Sequence, residues 1–237
     1  MSHQINIHQA QTDILRELLF QPEAGFAQLQ KPTGLTSDHF NFHIKKLIEL
    51  GFVNKIGRGK YGLTLAGKEH ANKLDTDAKT IERQPKVAVL LCIKREIDGK
   101  TEFLMQKRTK HPYFGYWGFP TGKVRWGETL LEAAARELKE ETNLTAKFKY
   151  VGLYHELVRI KENGDIIEDK LFHIIGCSDV SGELLNAFEG GLNEWKTREA
   201  IEAEPKKYDS DKIEMDMIHG LYATFVEQTV EVSENDF

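Results

Sequence analysis

Cysteine is scarce in this sequence. Its 237 residues include two cysteines, Cys92 and Cys177. They lie far apart, each in an apolar stretch, and their surroundings show no spacing typical of a zinc or redox site. A disulfide-stabilised scaffold is therefore excluded, and we expect two buried, reduced thiols.

Long apolar segments are also lacking. No apolar run approaches the roughly 18 residues that a membrane-spanning helix needs. Residues 1–10 are polar and lack the basic and apolar regions of a signal peptide. We therefore expect a cytoplasmic protein with no membrane partner.

Charge of one sign does not dominate either. Residues 1–80 hold ten Lys/Arg and eight Asp/Glu, or +2, and a net charge of −5 for the chain leaves −7 for the remainder. This uneven division indicates two modules with different partners. A charge of +2 is far below the basic bias that would by itself indicate nucleic-acid binding.

A polar segment at residues 75–85 interrupts the apolar patterning and ends in Pro85. We interpret it as a boundary between two domains. The predicted organisation is a domain over residues 1–76, a linker over 77–85 and a second domain over 86–237.

Before this boundary the patterning is mostly helical. Apolar residues recur at helical spacing in three segments, at residues 14–19, 26–29 and 40–48. A glycine-containing turn at residues 57–59 then predicts a small hairpin, and a last helix is expected over residues 65–74. Three helices, a hairpin and a helix predict a winged helix-turn-helix domain.

After the boundary, strands and helices alternate. Residues 87–93 form a continuous apolar run, as expected for a strand covered on both faces. Asp98-Gly99 and Asn163-Gly164 are hairpin signals. Helices are expected over residues 130–142 and 211–226, the second because its apolar residues recur every four positions. The alternation predicts an α/β sandwich.

The predicted helix over residues 130–142 carries an acidic cluster. Glu137, Glu140 and Glu141 stand at i, i+3 and i+4, so they share one helix face. Like charges repel at this spacing, and the negative end of the helix adds to the cost. A bound Mg²⁺ or Mn²⁺ would reverse both effects, because hard cations prefer carboxylate oxygen. From the helix alone, the alternative is a solvated acidic face screened by neighbours such as Arg136.

The segment over residues 122–144 resembles the signature of the Nudix (MutT-like) family. That signature reads Gly-x5-Glu-x7-Arg-Glu-U-x-Glu-Glu-x-Gly-U, where U is bulky and apolar. The matching positions are Gly122, Glu128, Arg136, Glu137, Leu138, Glu140, Glu141 and Leu144. One position departs from the signature, because Asn143 stands where the family has Gly. Asn is the residue that next best tolerates a positive φ, so we expect a small cost in stability.

The resemblance implies a Nudix α/β/α sandwich with a mixed sheet. It also implies a hydrolase that cleaves a nucleoside diphosphate linked to another moiety, with Mg²⁺ or Mn²⁺ assisting the attack of water on phosphorus. The metal-site residues that it implies are Gly122, through its carbonyl, Glu128, Glu137, Glu140 and Glu141. Arg136 would orient Glu137. An ion pair of Arg136 with Glu132 is the alternative.

MutT-like relatives supply one more carboxylate from a loop before a later tryptophan. Here the loop before Trp195 carries Glu189 next to two glycines, which suit a mobile ligand loop. The resemblance therefore makes Glu189 a candidate metal ligand or general base. Glu183 and Glu194 are the competing candidates, and a solvated glutamate is the alternative.

Basic and aromatic residues near the box, which is the signature segment at residues 122–144, are candidates for substrate contacts. Arg108, Lys123 and Arg125 could meet the phosphates, with a surface charge as the alternative for each. Four aromatic residues precede the box, and one of them could stack on a base, with core or loop packing as the alternative. They are Tyr113, Phe114, Tyr116 and Trp117.

Residues 41–53 resemble the recognition helix of winged-helix transcription regulators, and residues 63–68 add to the likeness. If this domain binds double-stranded DNA, the helix residues facing the major groove would be Ser37, Asp38, Asn41, Phe42 and Lys45. The wing residues contacting phosphate would be Lys55, Arg58 and Lys60. The alternative is a winged helix used for dimerisation or another protein contact.

Two functions are consistent with these patterns. The first is a metal-dependent pyrophosphohydrolase with a nucleotide-type small-molecule substrate. The second is a DNA-binding transcription regulator whose Nudix domain senses a nucleotide such as ADP-ribose without turnover. Because every acidic position of the box is present, catalysis is favoured. The box leaves the particular nucleotide open, and both domains are compatible with a homodimer.

Overall fold

The computed structural model describes residues 8–74, 83–221 and 223–233. The chain divides into two compact units, Met1–Arg83 and Gln84–Phe237. Most of the predicted linker, residues 77–82, lies outside the described residues. Within the described part, no helix is long and apolar enough to cross a membrane.

The N-terminal unit combines four helices with a small antiparallel sheet. Its elements are α1 (Gln9–Phe20), β1 (Ala24–Gly25), α2 (Phe26–Gln30), a short 3₁₀ helix (Lys31–Thr33), α3 (Ser37–Glu49), β2 (Val53–Gly57), β3 (Lys60–Leu63) and α4 (Leu65–Ala71). The strands lie in the order β1-β3-β2. The predicted helices and hairpin are confirmed, and the last helix ends at Ala71 rather than at residue 74.

The apolar periodicity of these helices produces the core of the unit. Ile14 and Leu15 of α1 pack with Phe40 and Ile44 of α3, and all four are buried. The opposite face of α3 stays exposed, so its polar residues are free of packing constraints.

The C-terminal unit is built on strands. Its elements are β4 (Lys86–Ile97), β5 (Lys100–Arg108), β6 (Trp117–Gly118), β7 (Thr121–Lys123), α5 (Leu130–Thr142), β8 (Thr145–Ile160), β9 (Ile166–Ser181), β10 (Ala187–Phe188), β11 (Gly191–Thr197), α6 (Arg198–Glu202), α7 (Asp211–Ile218) and β12 (Phe225–Val232). The strands run in the order β10-β11-β5-β4-β9-β8-β12, with β6 beside β5 and β7 beside β4. β4 pairs with β9, and β8 with β12, in parallel, whereas the other pairs are antiparallel. The predicted mixed sheet is confirmed.

Alternate residues of β4 supply the cores on the two faces of this sheet. Val89 and Leu91 pack with α5 on one face. Leu90 and Cys92 pack with α6 and α7 on the other. This explains the continuous apolar run of β4, since both of its faces are covered. Cys92 and Cys177 are buried free thiols that belong to different cores, as expected from their surroundings.

The predicted helix over residues 211–226 is wrong in its second half. α7 ends at Ile218, and Gly220 follows with a φ of 71°. β12 then runs parallel to β8 and begins with Phe225 opposite Leu153. Gly220 takes a left-handed conformation that ends the helix, although the apolar spacing continues past it.

Candidate active site

The local sequence determines both ends of α5. At its start, Glu132 Oε2 accepts a hydrogen bond from the Thr129 backbone N–H at 2.8 Å, and Thr129 Oγ1 accepts from the Glu132 N–H at 3.4 Å. This capping box satisfies backbone donors that the first turn leaves without partners. Glu132 is therefore engaged by Thr129 and not by Arg136, which binds other carboxylates.

Arg136 lies at the centre of the acidic face of α5. Its Nε donates to Glu128 Oε1 at 2.6 Å, and its Nη2 donates to Glu128 Oε2 at 2.8 Å. Its Nη1 donates to Glu137 Oε1 at 2.5 Å and to Glu140 Oε2 at 3.3 Å. The hydrogen bonds from Arg136 lower the pKa of the Glu128 carboxyl to about 2. One guanidinium therefore orients three glutamates of the box.

Gly122 contacts the side chain of Glu137 without any intervening space. A Cβ atom added at Gly122 would lie 2.0 Å from both Cγ and Cδ of Glu137. Real side-chain atoms do not approach so closely, so only glycine fits at this position. The backbone of β7 thereby lies directly against the acidic face of α5.

Glu141 is half-buried and, unlike the other box glutamates, accepts no hydrogen bond from Arg136. Its Oε2 accepts a hydrogen bond from Gln106 Nε2 at 3.0 Å. Burial raises the pKa of this carboxyl to about 7, and the charge of Glu137 adds to the rise. A cation bound beside such a carboxyl would offset the cost of ionising the carboxyl.

Asn143 ends α5 in the left-handed conformation, with φ 60° and ψ 12°. This confirms the conformation expected at the one position where the box departs from the family pattern. Its side chain also makes contacts that glycine could not make. Asn143 Nδ2 donates to the Glu183 carbonyl at 3.1 Å, and Lys139 Nζ donates to Asn143 Oδ1 at 2.6 Å.

A cavity of about 390 Å³ lies beside the box. Gly122 and Glu141 line it on the side of the box. Its basic lining residues are Lys86, Arg108, Lys110, Lys123 and Lys170. Its aromatic lining residues are Tyr113, Phe119, Phe172, Phe188 and Tyr208. The cavity thus offers cations for phosphate groups and ring faces for planar or sugar groups.

The predicted phosphate-binding residues lie in two places. Arg108 and Lys123 line the cavity. Arg108 Nε also donates to the Pro112 carbonyl at 2.9 Å, which holds the following loop. Arg125 instead lies on the exposed side of the box, where its Nη2 is 3.3 Å from Glu140 Oε2.

The four aromatic candidates for stacking on a base also lie in different surroundings. Tyr113 lines the cavity. Trp117 is a buried core residue, whereas Phe114 is exposed. The ring of Tyr116 lies 5.5 Å from that of Tyr208, centroid to centroid. Among the four, only Tyr113 therefore lines the cavity.

Glu189 is an exposed residue in the turn between β10 and β11. Its chain neighbours Phe188 and Gly190 both line the cavity. Glu194 instead forms an ion pair with Lys196 at 3.3 Å. Among the three candidate glutamates outside the box, Glu189 is the one that the chain brings to the cavity edge.

The donor chemistry of the box suits a hard divalent cation. Glu137, Glu140 and Glu141 share one face of α5, and the half-buried Glu141 lines the cavity. Among residues 8–74, 83–221 and 223–233, however, no three acidic, His or Cys side chains are placed closely enough to hold an ion. The carboxylates of this face turn toward Arg136 and Gln106 instead. Metal binding would require them to change partners.

Two features of the cavity were not predicted from the sequence. One is Gln106, the partner of Glu141, a polar residue at a buried position of β5. The other is a set of four buried acidic residues that line the same cavity, namely Glu156, Glu168, Asp211 and Glu214. A local signal existed for Glu156, because it takes an inward position between Tyr154 and Val158 in an alternating strand.

In the N-terminal unit, the predicted DNA-contacting residues are all exposed. The predicted contacts on α3 are Ser37, Asp38, Asn41, Phe42 and Lys45. The exposed basic residues of the β2–β3 hairpin are Lys55, Arg58 and Lys60. Lys60 Nζ lies 3.3 Å from Glu23 Oε2, so one of these cations already has an acidic partner.

Comparison with known families and proteins shows what this chain is similar to. A family model described as the NUDIX domain matches residues 83–216. The chain is 35% identical over 99 residues to an ADP-ribose pyrophosphatase of Methanocaldococcus jannaschii, which covers 40% of this chain and 56% of that protein. It is 44% identical over 55 residues to an asymmetrical bis(5'-nucleosyl)-tetraphosphatase of Caenorhabditis elegans, which covers 23% of this chain and 38% of that protein. The chain thus spans about half the length of the first relative and less of the second.

A solved structure shows a similar fold. The NUDIX domain of Shewanella oneidensis NrtR, crystallised in complex with ADP ribose, aligns with a TM-score of 0.52 at 16% sequence identity. The alignment covers 68% of this chain and 100% of that domain. The likeness at this level of identity concerns the fold.

Proposed function

This chain belongs to the NUDIX family, and on that premise we propose that its C-terminal unit hydrolyses the phosphorus anhydride of a nucleoside diphosphate linked to another moiety. The observation that carries the proposal is the position of the box. Its residues Glu137, Glu140 and Glu141 lie on one face of α5. Gly122 and Glu141 line a cavity that also holds five basic residues. Cations and a metal site around one cavity are the arrangement that a diphosphate requires.

The metal in this proposal is Mg²⁺ or Mn²⁺. Glu137, Glu140 and Glu141 would hold it together with the Gly122 carbonyl, and Glu128 would support the group. When bound, such an ion supplies Lewis acidity and lowers the pKa of a bound water. The contact between Gly122 and Glu137 keeps the carbonyl-bearing strand and the carboxylates together.

The protein residues have separate roles in this reaction. Arg136 is a positioning residue, since it orients Glu128, Glu137 and Glu140. Arg108 and Lys123 would bind the phosphates from the cavity wall. Arg125 would approach them only after leaving Glu140. Glu189, at the edge of the cavity, would accept the proton of the attacking water.

For the substrate, we favour the ADP-ribose type. The relative from M. jannaschii is an ADP-ribose pyrophosphatase, and its alignment with this chain extends over 99 residues. A cavity of about 390 Å³ lined by both cations and rings suits a diphosphate that carries a sugar or a base.

The first experiment measures product release with Mg²⁺ and with Mn²⁺. Substrates are ADP-ribose, a nucleotide sugar, a dinucleotide and a nucleoside triphosphate. We expect hydrolysis of ADP-ribose, and we expect Glu140→Gln to reduce it by roughly two orders of magnitude or more. Glu162→Gln is the matched control, because Glu162 is exposed in the turn between β8 and β9. A wild-type protein that hydrolyses none of the four substrates with either metal would refute the proposal.

As a second candidate function, we propose that the N-terminal unit is a winged helix-turn-helix domain that binds double-stranded DNA. Support comes from the order of its elements, with a hairpin after α3 and a three-stranded antiparallel sheet. The exposed polar residues of α3 and the exposed basic residues of the hairpin also fit this role. The chain would then couple a nucleotide-binding unit to a DNA-binding unit.

Fluorescence anisotropy of a labelled random-sequence duplex tests this second function. We expect salt-sensitive binding, which Arg58→Ala weakens with a reduction of the salt slope by about 1. Lys68→Ala is the control, because Lys68 is exposed on α4 outside the hairpin. If the wild-type protein does not bind the duplex even at low salt, the unit serves another partner.

A further inference from the structure

One end of the cavity is lined by carboxyl groups that the proposed hydrolysis does not use. They come from three elements: Glu156 lies on β8, Glu168 on β9, and Asp211 and Glu214 on α7. Their exposed fractions are 9%, 5%, 2% and 2%, respectively. Acidic residues are almost never buried to this extent without a compensating partner.

Strand register and helix periodicity bring these residues together. On the sheet, Glu156 lies directly opposite Lys170, and Glu168 lies two residues before Lys170 on the same face. On α7, Asp211 and Glu214 stand at i and i+3 in the first turn, so both point to one side. Since all four line the same cavity, the first turn of α7 faces this part of the sheet.

The partners present among the described residues satisfy this set only in part. Glu168 forms ion pairs with Lys86 and Lys170. Glu156 accepts a hydrogen bond from the Tyr154 hydroxyl at 3.4 Å. Asp211 Oδ2, in contrast, is buried and has no hydrogen-bond partner among the residues that the structure describes. A buried acceptor without a partner is rare in folded proteins, and here it belongs to a residue that lines a cavity.

The place of Asp211 and Glu214 in the first turn of α7 does not by itself explain why these acidic residues are buried. Acidic residues are favourable in the first turn of a helix, but an exposed residue provides that benefit without desolvation. Burial raises the pKa of Glu156, Asp211 and Glu214. Glu214, whose pKa rises to about 8, therefore retains a proton near neutral pH and can donate as well as accept a hydrogen bond.

The distance between the box and the carboxyl groups determines which part of a bound substrate can reach them. Gly122 lies on β7, which pairs with β4, and β9 and β8 follow in the sheet. Three strand spacings, about 14 Å, separate β7 from β8, which carries Glu156. Asp211 lies on another side of the cavity, where its Oδ1 would be 3.8 Å from a Cβ added at Gly118 on β6. A diphosphate held at the box therefore leaves room for one further group between the box and Glu156.

We propose that Asp211, Glu214, Glu156 and Glu168 bind the hydroxyl-bearing sugar on the far side of the diphosphate. The inference rests on the proposed function and specifies the substrate as a nucleoside diphosphate sugar. A ribose ring offers several hydroxyl donors to these acceptors, whereas adenine offers a single amino group. Aromatic side chains line the same cavity and suit the C–H face of a sugar.

Equilibrium binding in EDTA tests this inference without turnover. Isothermal titration calorimetry would compare ADP-ribose, ADP and inosine diphosphate on the full-length protein. We expect ADP-ribose to bind at least tenfold more tightly than ADP. Asp211→Asn should abolish most of this difference while leaving the affinity for ADP unchanged. Glu162→Gln, at the exposed turn described above, should retain the difference.

A second variant covers the case in which Asp211→Asn does not fold. Glu156→Gln lies on the sheet rather than on α7 and should reduce the preference for ADP-ribose in the same way. Equal affinities of the wild-type protein for ADP-ribose and ADP would overturn the sugar assignment. So would a preference for ADP over inosine diphosphate that Asp211→Asn removes, since the base would then occupy this end.

The proposed hydrolysis and the sugar site can be refuted independently of each other. Absence of hydrolysis with Mg²⁺ or Mn²⁺ would refute the proposed function, yet the binding preference in EDTA would still be measurable. Conversely, hydrolysis with no binding preference for the distal sugar would retain the function and refute the sugar site.

Discussion

At the scale of single residues, Gly122 is the position where the least change should have the largest effect. In Gly122→Ala, the added Cβ would lie 2.0 Å from Glu137 Cγ and Cδ, so the glutamate must move. A displacement of about 1 Å at a catalytic group can cost about 100-fold in rate. We expect a reduction of that order in the hydrolysis of ADP-ribose, measured as kcat with Mg²⁺.

The control for this prediction is a glycine with open space. A Cβ at Gly57 would meet its nearest atom, Lys60 Cβ, at 4.0 Å. Gly57→Ala should therefore retain full activity. Undiminished kcat in Gly122→Ala would show that the contact with Glu137 does not set the position of the reacting groups.

Asn143 should affect stability more than activity. Its φ of 60° costs an alanine about 1–2 kcal/mol, so Asn143→Ala should lower the free energy of unfolding by at least that amount. Asn143→Gly removes the backbone strain but also the hydrogen bond to the Glu183 carbonyl. Its stability should lie between those of alanine and the wild type, because the lost hydrogen bond outweighs the small cost that the sequence alone predicts for asparagine at this position. Urea unfolding measures the order, and an alanine variant as stable as the wild type would contradict it.

At the scale of elements, the first turn of α7 introduces a pH dependence into the fold. Burial raises the pKa of Glu214 from its ordinary 4.5 to about 8. Between these values the unfolded chain ionises Glu214 while the folded chain keeps the proton, so folding loses stability as pH rises. Glu214→Gln cannot ionise and should therefore gain stability over the wild type across this interval.

Urea unfolding at pH 4.5 and at pH 8 checks this prediction, with the two values taken from the ordinary and raised pKa of Glu214. The advantage of Glu214→Gln should grow by at least about 1 kcal/mol between them, since one pKa unit corresponds to about 1.4 kcal/mol. The exposed Glu162→Gln should show no such growth. An advantage that is the same at both pH values would mean that Glu214 ionises alike in both states.

At the scale of the whole molecule, the division into two units predicts independent folding. Each unit, Met1–Arg83 and Gln84–Phe237, has hydrophobic core residues of its own. The box and the cavity lie entirely in the second unit. We expect the isolated second unit to unfold cooperatively and to hydrolyse ADP-ribose with a kcat within about threefold of the full chain. Loss of folding or of turnover on truncation would show that the site depends on the first unit.

The amino-acid sequence alone was sufficient to predict the features that depend on residues close together in the chain. The bounds of α5, its capping box and the shared face of Glu137, Glu140 and Glu141 follow from residues within four positions of one another. The left-handed conformation of Asn143 is equally local. The same reasoning was wrong after Ile218, because apolar spacing continued past Gly220 although the helix did not.

Tertiary structure alone decided which distant residues meet. Gln106 reaches Glu141 only because β5 and α5 lie side by side. Asp211 lines the cavity with Glu156 only because α7 covers the sheet at β8. Sequence periodicity indicates which face of an element is buried, but not which other element covers that face. The acidic box was therefore determined by the sequence, and the carboxyl-lined end of the cavity by the packing of α7 on the sheet.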